Sequence, residues 1–291
     1  MIDLHHLGRR AAMLVAAFFL AAGMHAQAAD SAGGKAAKPA RATTSTSPKA
    51  AAAPAAVKPI LEQRALDLLK AMSDRLMAAR SLSFTAQVTY EHPSRLGPPL
   101  AFMTISEVLM QRPDRLRVLT LGDGPASEFY LDGKTMTAYS PTEHFAAVAA
   151  APATIDEALK VAFRDAGIYF PFADVLLADP YASLAAGVVS AFLVGQSKVV
   201  GGTTTQVVAF ANNEVFMQVW IGAEDKLPRM MRAVYRRDPL RQRHQMELSN
   251  WKVDPVVAAA DFATAKSASA VAIPFAHPAS KPVAAAAARS Q

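Results

Sequence analysis

Between Leu82 and Val148 the chain runs through short alternating segments joined by brief polar turns, and few folds accommodate that. In Leu82-Ser-Phe84-Thr-Ala86-Gln-Val88-Thr-Tyr90 every second residue is apolar, the pattern of a strand with one face on a core and one toward water. Further runs follow at 100–111, 115–121, 127–132, 134–140 and 143–149, with a tight Asp132-Gly133 turn between Tyr130 and Tyr139. Strands connected this closely pair antiparallel, so the first constraint is a meander. Within 100–111, Phe102, Val108 and Met110 fall on one face, while Met103, Ile105 and Leu109 fall on the other. Such a strand needs cover on both sides or an internal cavity.

Helices flank and interrupt this meander. Leu61, Ala65, Leu68, Met72, Leu76 and Ala79 recur at three- and four-residue steps and predict an amphipathic helix ahead of the first strand. Thr154 stands three residues before Glu157, a capping box that starts a helix over Ile155–Ala166. A shorter apolar helix is expected from Phe172 to its stop at Asp179-Pro180. Strands then resume at 188–200 and 203–211 around Gly201-Gly202, at 214–221, and at 227–237 and 241–253 around Asp238-Pro239. The predicted fold class is α+β: an antiparallel curved sheet of about eleven strands, an open half-barrel, wrapping an N-terminal helix and short inserted lid helices.

The ends carry a different message. Arg9 and Arg10 precede the apolar run AAMLVAAFFLAAGM, and Ala26-Gln27-Ala28 supplies small residues for cleavage before Ala29. Residues 1–28 are expected to be a cleavable signal peptide directing the chain to the periplasm; a retained anchor is the alternative. With no cysteine anywhere the chain is not a lipoprotein, and thiol catalysis, thiolate metal sites and disulfides are excluded. Residues 29–58 are an Ala/Pro/Lys linker and 266–291 a tail, both expected to be disordered for want of large apolar residues. The formal charge of +6 resides in these segments, because residues 59–265, the expected single domain, hold 20 basic and 22 acidic side chains. Nucleic acid is therefore not an expected partner.

Reactive chemistry is hard to find. HExxH, GxSxG, Walker and GxGxxG patterns are absent, and His92, His144, His244 and His277 are scattered without a partner at ligand spacing. No catalytic residue, metal or cofactor is expected, and the chain is read as a non-enzyme. Nine methionines from Met72 to Met246 serve either as core filler or as an adaptable apolar lining. Arg229, Arg232, Arg236, Arg237, Arg241 and Arg243 on the last hairpin either keep an edge soluble or meet acidic groups.

An ordered series of motifs goes further. It comprises Arg112-Pro113-Asp-Arg115-Leu116-Arg117, Phe129-Tyr130-Leu131-Asp132-Gly133-Lys134-Thr135, Tyr139-Ser-Pro141 and Pro152 to Leu159. Asp179-Pro180-Tyr181, Trp220-Ile221 and Leu227-Pro228-Arg229 complete it. Over residues 60–265 this series resembles the LolA/LolB-like fold of periplasmic lipoprotein carriers, and most closely the bacterial domain of unknown function 2092 family. The resemblance implies a sheet wrapped around an apolar cup closed by inserted helices. It places Arg112, before the strand-motif proline, as the residue that latches the lid to backbone carbonyls, and Phe172–Leu177 as part of that lid. Phe84, Val88, Met103, Ile105, Phe129, Phe172, Leu176, Met217 and Trp220 are the residues expected to line or cover the cup with Arg112. The carriers' strand-end aromatic is Val118 or Leu119 here, and their Pro-Pro is missing after Phe262. The implied function is a periplasmic carrier or sensor holding an apolar ligand such as a lipid, an acyl chain or an acylated lipoprotein. The alternative is a regulatory protein–protein interaction module of the envelope. An inner- or outer-membrane protein is a further expected partner in either case.

Overall fold

The computed structural model describes residues 60–277; the signal-peptide and linker expectations lie outside them. One helix, α1 (Gln63–Ala78), precedes six strands: β1 (Ser81–His92), β2 (Leu100–Gln111), β3 (Arg115–Gly122), β4 (Ser127–Asp132), β5 (Thr135–Ser140) and β6 (Phe145–Ala150). Three helices follow, α2 (Ile155–Ala166), α3 (Ala173–Leu176) and α4 (Pro180–Leu184). Five more strands come next: β7 (Ser190–Ser197), β8 (Thr205–Ala211), β9 (Val215–Gly222), β10 (Pro228–Tyr235) and β11 (Arg243–Val253). A last short strand, β12 (Val271–Ile273), lies beyond them.

All twelve strands join one sheet in the order β12-β6-β5-β4-β3-β2-β1-β11-β10-β9-β8-β7. Each half of the chain is a meander, and the β1–β11 pairing, Ala86 opposite Leu248 and Val88 opposite Met246, fuses the two. Only β12 runs parallel to its neighbour. Pairing fixes which side chains share a face. Phe84 lies opposite Val108, Val108 opposite Val118 and Val118 opposite Phe129, so one buried row crosses four strands. Against this inner face sits α1, whose fully buried residues are Ala65, Leu69, Met72, Ser73 and Leu76. The stripe is rotated from the expected one: Leu69 replaces Leu68 at its centre. Leu61 lies outside the helix, exposed, in a one-residue parallel bridge to Ala191.

The twelfth strand and its approach differ from the expected disordered tail. After β11 the chain crosses the outer face of the sheet. The Arg117 guanidinium donates to the Asp261 carbonyl at 3.2 Å, Phe262 is fully buried, and Lys266 pairs with Glu128 at 2.7 Å. Beyond β12 the His277 amide donates to the Asp165 carbonyl at 2.5 Å, returning the chain to the end of α2. Residues 266–277 hold few large apolar groups, and they are held by backbone pairing to β6, by the Lys266–Glu128 pair and by Phe275 packed against the core. Composition underestimates that kind of order.

This strap also answers the two-faced character of β2. Leu109 lies opposite Arg117 in the register and is buried, whereas Met103 and Ile105 toward the other end of the strand remain 41 % and 44 % exposed. Among the described residues no helix is long and apolar enough to cross a membrane.

Candidate functional site

The inner face is covered by α1 and by the segment 167–185, and the second cover is tied down in an unusual way. Helix α2 begins at Thr154, whose hydroxyl accepts the Glu157 amide at 3.2 Å, as the capping box predicts. It ends at Gly167, whose φ of 70° lets its amide reach back to the Phe163 carbonyl at 2.9 Å. The chain then lays Phe170, Phe172 and Leu176 over the sheet. Four ring contacts form a continuous aromatic line. Phe129 meets Phe170 at 5.3 Å, Phe170 stacks on Phe172 at 5.7 Å, Phe172 meets Phe84 edge-on at 5.8 Å, and Phe84 stacks on Trp251 at 4.5 Å. Offset and edge-to-face rings at these separations add stabilisation beyond burial alone. The line runs from β4 to β11 through the cover.

Two charged side chains clasp the far end of this segment. Arg112 follows β2, its own amide held by the Arg80 carbonyl at 2.8 Å. Its Nη1 donates to the Leu176 carbonyl at 3.3 Å and its Nη2 to the Leu177 carbonyl at 3.0 Å. Asp156, in the first turn of α2, accepts the next amide, that of Ala178, at 3.1 and 3.2 Å. Three consecutive residues of the cover are thus gripped through their main chain. The Pro113 carbonyl accepts the Ile155 amide at 2.8 Å, keeping the two charged residues near each other. Burial lowers the pKa of Arg112, and the charge of Asp156 opposes that shift. The Nε of Arg112 is buried without a partner, which weakens the hold of the clasp.

A second, less covered zone lies along the same face toward the β1–β2 and β10–β11 turns. Phe102, Tyr90, His244, Ala233 and Met217 share one cross-strand row, and all are half-buried. Tyr90 stacks on Phe102 at 5.7 Å, and Tyr235 meets His244 edge-on at 5.4 Å. Burial raises the pKa of Tyr90 and Tyr235, and of Tyr169 from the cover, with Asp174 adding to the last two. Burial lowers that of His244, against the pull of Glu91. These groups are therefore neutral at pH 7, and the row presents aromatic rather than charged side chains.

Seven of the ten expected site residues share this face or its cover: Arg112, Phe84, Val88, Phe129, Phe172, Leu176 and Met217. The other three do not. Met103 is opposite Thr89 and Ile105 opposite Gln87, so both project from the outer face. Trp220 lies opposite Met230, whereas its neighbour Val219, opposite Met231, is the residue that enters the core. Period-two alternation separates the faces but does not say which is inner; that follows from register, which the seven-residue 93–99 turn conceals. Asp156, Phe170 and Trp251 were missed. For Asp156 the capping box placed it in a first turn, but no spacing rule connects it to Ala178. Among the described residues no group of three or more His, Cys, Asp or Glu could hold a metal ion.

A family model described as "Predicted periplasmic protein (DUF2092)" matches residues 65–276. No curated protein matches the sequence. Among solved structures, LprF from Mycobacterium bovis is similar at 17% identity, covering 69% of this chain and 97% of its own, with a TM-score of 0.42. The LolA superfamily protein NE2245 from Nitrosomonas europaea is similar at 10% identity, with the same coverages and a TM-score of 0.32. MucB of the Pseudomonas aeruginosa MucA/MucB complex is similar at 18% identity over 70% of this chain, with a TM-score of 0.38. The match spans 62% of that chain, less than two thirds of its length.

Proposed function

The chain belongs to the DUF2092 family of predicted periplasmic proteins, and from that premise we propose that it binds an apolar ligand on the inner face of the sheet, as a carrier or sensor. The ligand class is an acyl chain, a lipid or an acylated lipoprotein. The observation that supports this reading most is the cover. Phe172 and Leu176 are buried on the inner face, yet the segment bearing them is held at its end by side chains gripping main-chain atoms. That arrangement keeps the apolar contact surface separable from the latch. Lifting 170–178 would uncover Phe84, with Trp251 stacked on it, and Phe129, and an acyl chain satisfies that surface as well as phenylalanine side chains do. The cover lies closed over the face, with Arg112 and Asp156 setting how readily it opens.

Native mass spectrometry and organic extraction of protein isolated from its bacterial host test this directly. The reading expects a copurifying acyl species at no more than one equivalent, lost after delipidation and regained on incubation with it. Protein that emerges free of apolar ligand and takes up none, while capturing a membrane protein, would instead support the regulatory interaction module.

A further inference from the structure

Where β8 turns into β9 and β10 into β11, the two tips border an open cleft of about 360 Å³ lined by Asn213, Arg236, Arg237 and Arg241. Most of its polar architecture is already spent. The Asn212 side chain accepts the Glu214 and Val215 amides at 2.9 and 2.8 Å, shaping the first tip. Asp238 turns its carboxylate back onto the Leu240 and Gln242 amides at 3.1 and 3.0 Å, shaping the second. Arg236 donates to the Asn212 carbonyl at 2.6 Å, and Arg237 pairs with Glu214 at 3.0 Å. Among the described residues Arg241 has no ion-pair partner. Three guanidinium groups therefore border one small cleft, with one carboxylate paired to them. Arg236 is oriented by its bond to the Asn212 carbonyl, which removes part of the entropy a bound anion would otherwise have to overcome, while Arg237, paired at the surface, and Arg241 are free to turn toward it.

We propose that this cleft is a binding site for a phosphate group. Guanidinium forks match phosphate oxygens in pairs, and a cluster of three exceeds what a single carboxylate demands. The position favours a phospholipid headgroup over free phosphate. Leu240 on the same tip is 47 % exposed, and Leu96 on the adjoining β1–β2 tip is 91 % exposed. The strands leading out of the cleft carry Tyr235 and His244 onto the half-covered aromatic row. A phosphate held here would place its acyl chains at the open end of the inner face. The placement of those chains rests on the apolar-ligand reading; the phosphate site does not.

Calorimetric titration of the mature chain at low ionic strength tests the site, with dihexanoyl phosphatidylglycerol below its micelle concentration and with inorganic phosphate as separate probes. The expected result is one saturable site for the phosphatidylglycerol, weakened about tenfold in each of Arg241→Asn and Arg237→Gln, and lost in the double variant. Asn is chosen at 241 because its φ of 47° is one that Asn tolerates. Equal affinity for inorganic phosphate would uphold the site and assign it to free phosphate. Absence of a saturable site for either probe, or affinities unchanged in both variants, would overturn it. Acyl species copurifying with the variants at the wild-type level would show that the apolar site stands independently of this result.

Discussion

Replacing Arg112 with Met removes both hydrogen bonds to the cover while keeping most of the unbranched stem. Charge-assisted hydrogen bonds each contribute about 1.5–3 kcal/mol, and two are lost, to the Leu176 and Leu177 carbonyls. Two gains offset this: the partnerless Nε disappears, worth about 1–3 kcal/mol, and a partly buried cation need no longer be desolvated. The net effect is a cover destabilised by about 1.5–3 kcal/mol relative to its open form, or about 10- to 150-fold more opening. Amide hydrogen exchange reads this residue by residue. The amides of Ala173, Val175 and Ala178, bonded to Phe170, Phe172 and Asp156 respectively, should exchange faster by that factor. The β1–β11 ladder around Ala86 and Leu248 should keep its wild-type rates. Uniform acceleration across the sheet would mean that Arg112 supports the whole fold, and no acceleration would mean that it latches nothing.

Asp156→Ala, removing the acceptor for the Ala178 amide, should produce the same local pattern at about 1 kcal/mol, and the double variant with Arg112→Met should be less than additive because both grip one segment. Phe172→Ala should cost about 3–5 kcal/mol of stability in thermal or denaturant unfolding, whereas Ile105→Ser on the outer face should stay within about 0.5 kcal/mol. His244 gives a pH signature. Its folded pKa lies below the unfolded 6.5, so the unfolded chain takes up the proton first and stability falls as pH drops below 6.5. His244→Gln should flatten that part of the profile while leaving the steeper loss at lower pH, where Glu91 and Asp254, both with depressed pKa values, become protonated. A variant profile that superimposes on the wild type above pH 5 would contradict the burial of His244.

Much of this architecture can be read from local sequence, and the gaps have physical causes. Alternation and turn signals locate β1 through β11, and the Thr154–Glu157 capping box marks the start of α2 because a cap is a purely local device. Facing is not local. Size and apolarity place Met103, Ile105 and Trp220 inside, but their side is set by the register with a partner strand beyond an intervening turn. The twelfth strand escaped notice because three residues of moderate apolarity become a strand only when β6 offers its edge. Arg112 is legible through a motif resemblance, while its counterpart Asp156 is not, since the contact with Ala178 spans 22 residues that include most of α2 and all of α3.

Displacement of the cover from the inner face by an apolar ligand can be read from Trp251. The chain has only two tryptophans. Trp220 projects from the outer face, while Trp251 stacks on Phe84, which Phe172 meets edge-on. In the Trp220→Phe variant, titration with a soluble long-chain fatty acid should give a saturable, one-to-one shift of Trp251 emission, with tighter apparent binding when Arg112→Met is added. An emission spectrum unmoved by ligand, or an affinity indifferent to the latch, would contradict the proposal that this face is a covered binding surface.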